Sequence, residues 1–343
     1  MKLEDFGKTI TFMPDATRGA VRFLTADQLK STGTKNVVVN TLHLMIHPGS
    51  ETIQKLGGIH SFMNWHEGFM LSDSGGFQVF SLLHSKKWEG KIDNNGATFK
   101  SPREGKKYVL TPESSIEIQM QLGTDILVAL DDCRDAQVDR KEAEISVERT
   151  LEWGRRSLEH FKKLKGHENG KIISAVVQGA NYLDLREYCA KELSKMGFDG
   201  YNFGGYVIDS DGKLVVEEMK VVIENTPKDK FKYAMGVGKP QDIIDAAKLG
   251  YTVFDTVLVT RNARHGTLYS FNEENLTMRI KNAKYSNDLF PIEDGCDCEA
   301  CRNHTRAYVH HMIRIGEATG MTLATIHNLR FYQRLVEKLS IEV

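Results

Sequence analysis

A chain of 343 residues with 41% hydrophobic and 27% charged side chains has a globular balance, and it is long enough for one large α/β barrel or two smaller domains. No apolar run approaches the roughly 20 residues that span a bilayer, and Met1-Lys2-Leu3-Glu4-Asp5 lacks the apolar core of a signal peptide; the expectation is a cytoplasmic protein without a membrane segment. With a formal net charge of −1, bulk charge does not announce a nucleic-acid binder, so any RNA must be held by a local basic face.

In chain order, β-rich apolar segments alternate with amphipathic helical ones. Strands are expected at 9–13, 36–40, 69–73, 125–131, 171–178, 200–204, 232–236 and 252–257. Helical patterns fall between most of them, at 25–31, 112–122, 141–165, 183–196 and 241–249. Eight strands alternating with helices predict a (β/α)8 barrel with a parallel core, a doubly wound open sheet being the second choice. The stretch 84–110 breaks the rhythm: it is polar, alternates around Ala97-Thr98-Phe99 and carries Asn95-Gly96, which predicts an antiparallel hairpin insertion after the third strand. The barrel is assigned to 1–285 and a C-terminal subdomain to 286–343, within one catalytic domain.

The strand ends are the informative positions. In order they carry Asn40, Asp73, Asp131-Asp132, Gln178-Gly179, Gly204-Gly205 and Gly236-Val237-Gly238, and the eighth strand runs through Asp255. In a parallel barrel these ends converge on one face, where active sites sit. Around the third, Leu71-Ser72-Asp73-Ser74-Gly75-Gly76-Phe77-Gln78 places a carboxylate at a strand end and lets the backbone turn sharply on two glycines. Asp132 is open between a solvent-facing and a loop-capping position, and Asn40 between lining the pocket and ending its strand. The basic candidates are Lys86-Lys87, Arg103 to Lys107, Arg155-Arg156 with Lys162-Lys163, and Arg302 with Arg306.

Of five cysteines, Cys296, Cys298 and Cys301 cluster, while Cys133 and Cys189 stand alone. An odd count with tight spacing argues for a metal rather than a disulfide scaffold. Three thiolates and one imidazole make a closed tetrahedral, structural Zn²⁺ site. His327 is the candidate fourth ligand, with His304, His310 and His311 nearer in sequence and open from spacing alone. Two helices, at 305–319 and 323–339, are expected beyond the cluster.

With these residues assembled, the sequence resembles the tRNA-guanine transglycosylase family along nearly its whole length. The resemblance rests on Asp73-Ser74-Gly75-Gly76-Phe77-Gln78, Val177-Gln178-Gly179, Met235-Gly236-Val237-Gly238-Lys239-Pro240, Phe254-Asp255, Thr260-Arg261-Asn262-Ala263-Arg264 and the Cys296/Cys298/Cys301/His327 set. It implies a zinc-bearing (β/α)8 barrel that exchanges the wobble guanine of tRNAs with a GUN anticodon for a 7-deazaguanine base. It further implies Asp255 as nucleophile on the ribose anomeric carbon and Asp73 as general acid/base. Asp131, Gln178 and the backbone at Gly205 would read the guanine-like edge, with Met235 and Phe77 against the ring. Cys133 matches a position near that pocket, though a lone Cys is more often packing. Arg261 and Arg264 match positions that contact the anticodon loop. His327 becomes the implied fourth ligand, and homodimers are common in the family.

The chemistry suits these residue types: a carboxylate can form and release a glycosyl ester, a second can carry the proton, and a carboxylate with an amide can read a purine edge. The base must leave its stack, which an unpaired loop permits. Several positions depart from the family pattern. Thr256 and Val259 stand where Cys and Pro are common, and the shorter N-terminus predicts that the hairpin capping the barrel floor is missing. Gly204-Gly205-Tyr206-Val207-Ile208-Asp209 replaces the usual segment against the arm of the incoming base, leaving 7-aminomethyl-7-deazaguanine and queuine both open. A non-catalytic partner subunit and a related enzyme acting on DNA guanine are the alternative readings.

Overall fold

The computed structural model describes residues 2–84, 88–101 and 105–342. Eight parallel strands form its centre: β1 (Thr11–Pro14), β2 (Val37–Asn40), β3 (Met70–Asp73), β4 (Ile126–Val128), β5 (Ile172–Val177), β6 (Gly200–Phe203), β7 (Phe231–Ala234) and β8 (Val253–Thr256). They are hydrogen-bonded in the order β1-β8-β7-β6-β5-β4-β3-β2. The gap between β1 and β2 is closed just past the strand end, where Asp15 bridges Val38 and the Ala16 N–H donates to the Val38 carbonyl at 2.7 Å. The sheet is therefore a nearly closed barrel, with helices between its strands.

Side chains alternate across each strand with period two, and the barrel uses both faces. Met13, Val38, Leu71, Ile126, Val128, Val176, Tyr233 and Val253 share one buried cluster inside the barrel. Their neighbours Phe12, Val37, Val39, Met70, Leu127, Val177, Phe203 and Phe254 belong to the larger core under the surrounding helices. At the floor, Phe6 meets Phe69 and Phe231 edge-on, with ring centroids 6.2 and 5.1 Å away. The N-terminal segment thus supplies an aromatic plug.

Two expectations need correction. The fourth strand stops at Val128, so Asp131 lies on the loop beyond it. The Gln119 side-chain amide takes both backbone groups of Val128, donating to its carbonyl and accepting from its N–H at 2.9 Å each, which ends the ladder with β3 there. The insertion is a three-stranded antiparallel sheet, Glu89–Asp93, Gly96–Lys100 and Lys107–Leu110, rather than a single hairpin. Its first turn is Asn94-Asn95, because Gly96 already pairs with Asp93.

Beyond β8, helix Leu258–His265 leads to a two-stranded antiparallel ribbon, Thr267–Tyr269 with Thr277–Arg279, and then to helices Glu299–Asn303, Arg306–Ile315 and Ala318–Glu342. The last helix serves two cores. Its Leu323, Ala324 and Ile326 pack with Cys296, Cys298, Cys301 and Ile313. Its Leu329, Phe331, Tyr332, Leu335 and Leu339 join the barrel core. Tyr332 lies 4.8 Å from Phe12 of β1, ring to ring, and donates its hydroxyl to the Gly238 carbonyl.

Candidate active site and metal centre

The inward phase of each strand sets what reaches the barrel mouth. Two residues beyond the buried Val38, Leu71, Val176, Tyr233 and Val253 come Asn40, Asp73, Gln178, Met235 and Asp255. The same strand geometry that fills the barrel with aliphatic side chains therefore aims polar ones at its open end.

Asp73 is half-buried, and amides surround it. Asn40 Nδ2 and Gln78 Nε2 donate to its Oδ2 at 2.8 and 3.0 Å, and the Gly75 N–H donates to Oδ1 at 3.1 Å. Burial pushes its carboxyl up to about 7, against the lowering effect of the Asn40 bond. The structure thus gives Asn40 both roles left open from sequence: it ends β2, caps the following helix by accepting from the His43 N–H, and orients Asp73.

Asp255 accepts from the Gly236 N–H at 2.8 Å and from the buried Tyr233 hydroxyl. Burial raises its carboxyl to about 6, less than at Asp73. In the ring order Asp255 on β8 and Asp73 on β3 are separated by β1 and β2, so two carboxylates of unequal proton affinity face the same opening.

Asp131 and Gln178 form the opposite wall. Gln178 Nε2 donates to Asp131 Oδ2 at 2.7 Å and the Ser74 hydroxyl to Oδ1 at 3.3 Å; burial lifts the Asp131 carboxyl to about 6. Backbone approach is tight here. A Cβ on Gly76 would sit 2.8 Å from the Asp131 carbonyl oxygen, and one on Gly204 would sit 2.6 Å from Gln178 Nε2. Gly205, in a left-handed conformation at φ 98°, follows directly. Cys133 is buried with its thiol pushed up by desolvation, a packing side chain rather than a thiolate. Phe77, 44% exposed, and Tyr206, 42% exposed, meet edge-on at 6.3 Å above this wall. Met235, directly beyond β7, lies across the barrel from β3.

The positions that the sequence left unexplained act behind this wall. Asp132 is fully buried and ion-paired with Arg149 and Arg134, and helix Arg140–Lys163 grips its backbone through Thr150 and Ser146. Arg186 is buried and has no carboxylate partner among the described residues; its guanidinium donates to the carbonyls of Val177, Gly204 and Ala180 at 2.8–3.1 Å and so ties together the ends of β5 and β6. Nothing in the local sequence marked it, since an Arg within an amphipathic helix reads as surface.

Charge at the rim is also arranged differently from the sequence candidates. Arg155 pairs with Glu152 and Glu159, Arg156 with Glu113 and Arg306 with Asp288. Lys86, Lys87 and Arg103 lie outside the described residues. Arg261 and Arg264, on helix Leu258–His265, share their electrostatic field with Arg22 instead, and the Arg264 guanidinium is lowered by burial and by both neighbours. Arg264 Nη1 is buried without a hydrogen-bond partner among the described residues. Arg22, Arg261 and Arg264 thus form a cationic patch within reach of the Asp15 carboxylate.

The C-terminal cluster resolves the choice of histidine. His327 Nδ1 lies 3.8, 3.7 and 3.3 Å from the sulfurs of Cys296, Cys298 and Cys301, close to the roughly 3.6 Å that a tetrahedral N–metal–S geometry requires. The four ligand atoms lie within 4.8 Å of one another, so the buried set can hold a metal ion. Nε2 of His327 donates to the Tyr269 carbonyl at 2.6 Å, which fixes the tautomer and turns the Nδ1 lone pair toward the sulfurs. His310 is spent on the Ile280 carbonyl and His304 stacks on Tyr308.

Comparison with known proteins decides the family. The model for queuine tRNA-ribosyltransferase matches residues 4–341. The chain belongs to the queuine tRNA-ribosyltransferase family. It is 41% identical over 332 residues to the queuine tRNA-ribosyltransferase of Tolumonas auensis, covering 97% of this chain and 86% of that one. Against the proteins of that name from Vibrio campbellii and Vibrio atlanticus it is 42% identical over 336 and 333 residues, covering 97% and 96% of this chain and 85% and 84% of those. Membership in the queuine tRNA-ribosyltransferase family makes the chain a glycosyltransferase. Among the described residues no helix is long and apolar enough to cross a membrane.

Proposed function

We propose that this chain exchanges the wobble guanine of GUN-anticodon tRNAs for a 7-deazaguanine base by double displacement at the ribose C1′. The observation that carries this reading is the pairing of Asp255 and Asp73 at one mouth with different proton affinities, about 6 and about 7. Asp255, the more readily ionised, attacks C1′ as the C1′–N9 bond breaks, giving a glycosyl ester and inverting the carbon. Asp73 gives its proton to the leaving guanine. It then takes the N9 proton of the incoming base, whose nitrogen displaces Asp255 and restores the configuration. A carboxyl group near 7 is poised for both halves of that transfer.

Asp131, Gln178 and the backbone at Gly205 recognise the guanine-like edge, with carboxylate oxygens accepting from ring and exocyclic N–H groups and the amide pairing with the carbonyl. Phe77 and Met235 flank the ring, with Cys133 packed behind it. Arg261 and Arg264, with Arg22, take anticodon-loop phosphates. The metal is zinc, because three thiolates and an imidazole suit its tetrahedral preference, and a closed set leaves it a structural role. The subdomain from 286 onward is then held to the barrel by that ion and by the last helix, within one catalytic unit.

Of the two candidate bases we favour 7-aminomethyl-7-deazaguanine, since Tyr206 and Ile208 crowd the segment after Gly205. The test is release of labelled guanine from tRNA in the presence of each base. The expected result is faster exchange with the aminomethyl base, and Tyr206→Leu should narrow the difference. Efficient use of queuine alone would reverse the assignment of the base, and no release with either would refute the exchange itself.

A further inference from the structure

Asp15 is a third carboxylate at the mouth, and the proposed reaction gives it no task. The expected first strand stopped at Met13, but β1 runs on to Pro14 and carries Asp15 directly beyond. Met13 lies in the inner cluster, so Asp15, two residues on, shares the inward phase of Asp73 and Asp255. The register fixes its neighbours. Met13 pairs with Asp255 on one side of β1, and Asp15 itself bridges Val38, two residues before Asn40, on the other. Around the rim the order is thus Asp255, Asp15, Asn40, Asp73.

One of its oxygens is occupied. Oδ1 accepts from the Thr17 N–H at 3.0 Å and from the Thr17 hydroxyl, which holds the side chain in one orientation. Oδ2 has no hydrogen-bond partner among the described residues. The charge also reaches Asp73, Asp255 and Arg264 electrostatically, as a position between the two carboxylates requires.

The base-reading groups Asp131, Gln178 and Gly205 lie just past the ends of β4, β5 and β6, so the sugar of the target nucleotide falls on the side of β7, β8 and β1. Its C1′ must sit against Asp255, and the 2′-hydroxyl is one carbon away. We propose that Asp15 is a specificity-determining residue that reads the ribose, its Oδ2 accepting a hydrogen bond from the 2′-hydroxyl of the target nucleotide and so selecting RNA over DNA. This rests on the reaction proposed above, in which Asp255 takes C1′. A 2′-hydroxyl is what distinguishes the two nucleic acids at one site, and a hydrogen bond to an ionised acceptor is among the stronger ones.

The experiment is a cycle of guanine exchange in an anticodon stem-loop carrying guanosine or 2′-deoxyguanosine at the exchanged position, with the wild type and Asp15→Ala. The wild type should lose roughly tenfold or more in kcat/KM on the deoxy substrate. Asp15→Ala should treat the two substrates alike within about twofold, because each change removes the same bond. General damage to the fold would lower both rates and leave their ratio unchanged, which overturns the proposal. Should the alanine variant not fold, Asp15→Asn keeps an oxygen for Thr17 and must likewise reduce the ratio; an unchanged ratio there is equally fatal. A wild type that exchanges guanine in neither stem-loop refutes the underlying reaction instead.

Discussion

At the barrel mouth, Asp73, Asp131 and Asp255 are carboxylates whose hydrogen-bond partners are amides and hydroxyls, not cations, and burial holds all three above their ordinary range. In the C-terminal cluster, four donor atoms instead close around one point, and the remaining nitrogen of His327 is satisfied by a backbone carbonyl. The first region carries unrelieved electrostatic cost. The second is a closed set of four ligand atoms that can hold an ion. Sites for chemistry and sites for stability can thus be told apart by what their polar groups lack.

If that contrast holds, changes in the cluster should move stability and changes at the mouth should move chemistry. The largest stability effect is expected from Cys298→Ser. Losing one thiolate removes the cross-link between the segment after Tyr285 and the last helix, so metal content and Tm should fall together, by several kcal/mol of metal-linked folding free energy, about 3 or more. Full thermal stability in a metal-free variant would break the comparison.

At the rim, Arg264→Ala should weaken tRNA binding by roughly tenfold and lower the slope of log K against log salt by about 0.7, the share of one phosphate contact on a single strand. Binding of the free base should stay within about twofold. Equal loss for both ligands would move Arg264 from the backbone contacts to the base pocket.

The smallest effect sharpens the contrast most. Asp73 has a pKa of about 7 in the fold against an ordinary 3.8. Its protonated form is favoured by folding, so its contribution to stability is present below about pH 4 and lost as pH rises through about 7. Asp73→Asn removes that penalty. The variant should match the wild type near pH 4 and exceed it by roughly 1–3 °C in Tm at pH 8, while losing exchange activity. Calorimetry at the two pH values checks this, and a variant less stable at pH 8 would contradict it.

Much of the fold was legible because barrel strands announce themselves as short β-rich runs ending in Asn, Asp, Gln or Gly; six of the eight lie within the stretches read from sequence, and β1 and β7 each overrun theirs by one residue, at Pro14 and Phe231. The expected helix at 112–122 is Pro112–Leu122, since Thr111 caps it and Gly123 ends it in a left-handed conformation. What failed were features set by distant partners. Strand β4 ends early because Gln119, from another element, takes the Val128 backbone. Asp132 looks like a loop residue until Arg149 and Arg134 are brought to it, and Arg186 becomes a clamp only when β5 and β6 lie side by side. Asp15 had a signal that went unused: it continues the inward phase of Met13, as Asp73 continues that of Leu71.

The central claim is that Asp255 bonds to the sugar, and denaturing gel electrophoresis of the protein mixed with tRNA and a slowly reacting base analogue tests it directly. The wild type should give a shifted protein–tRNA band that maps to Asp255. Asp255→Asn should give none and lose exchange by at least about a thousandfold, yet still bind tRNA, because the amide keeps the shape but cannot form the ester. Asp73→Asn, deficient in proton transfer only, should retain a trace of the band. Normal exchange by Asp255→Asn, or an adduct that maps to Asp73, would contradict the account.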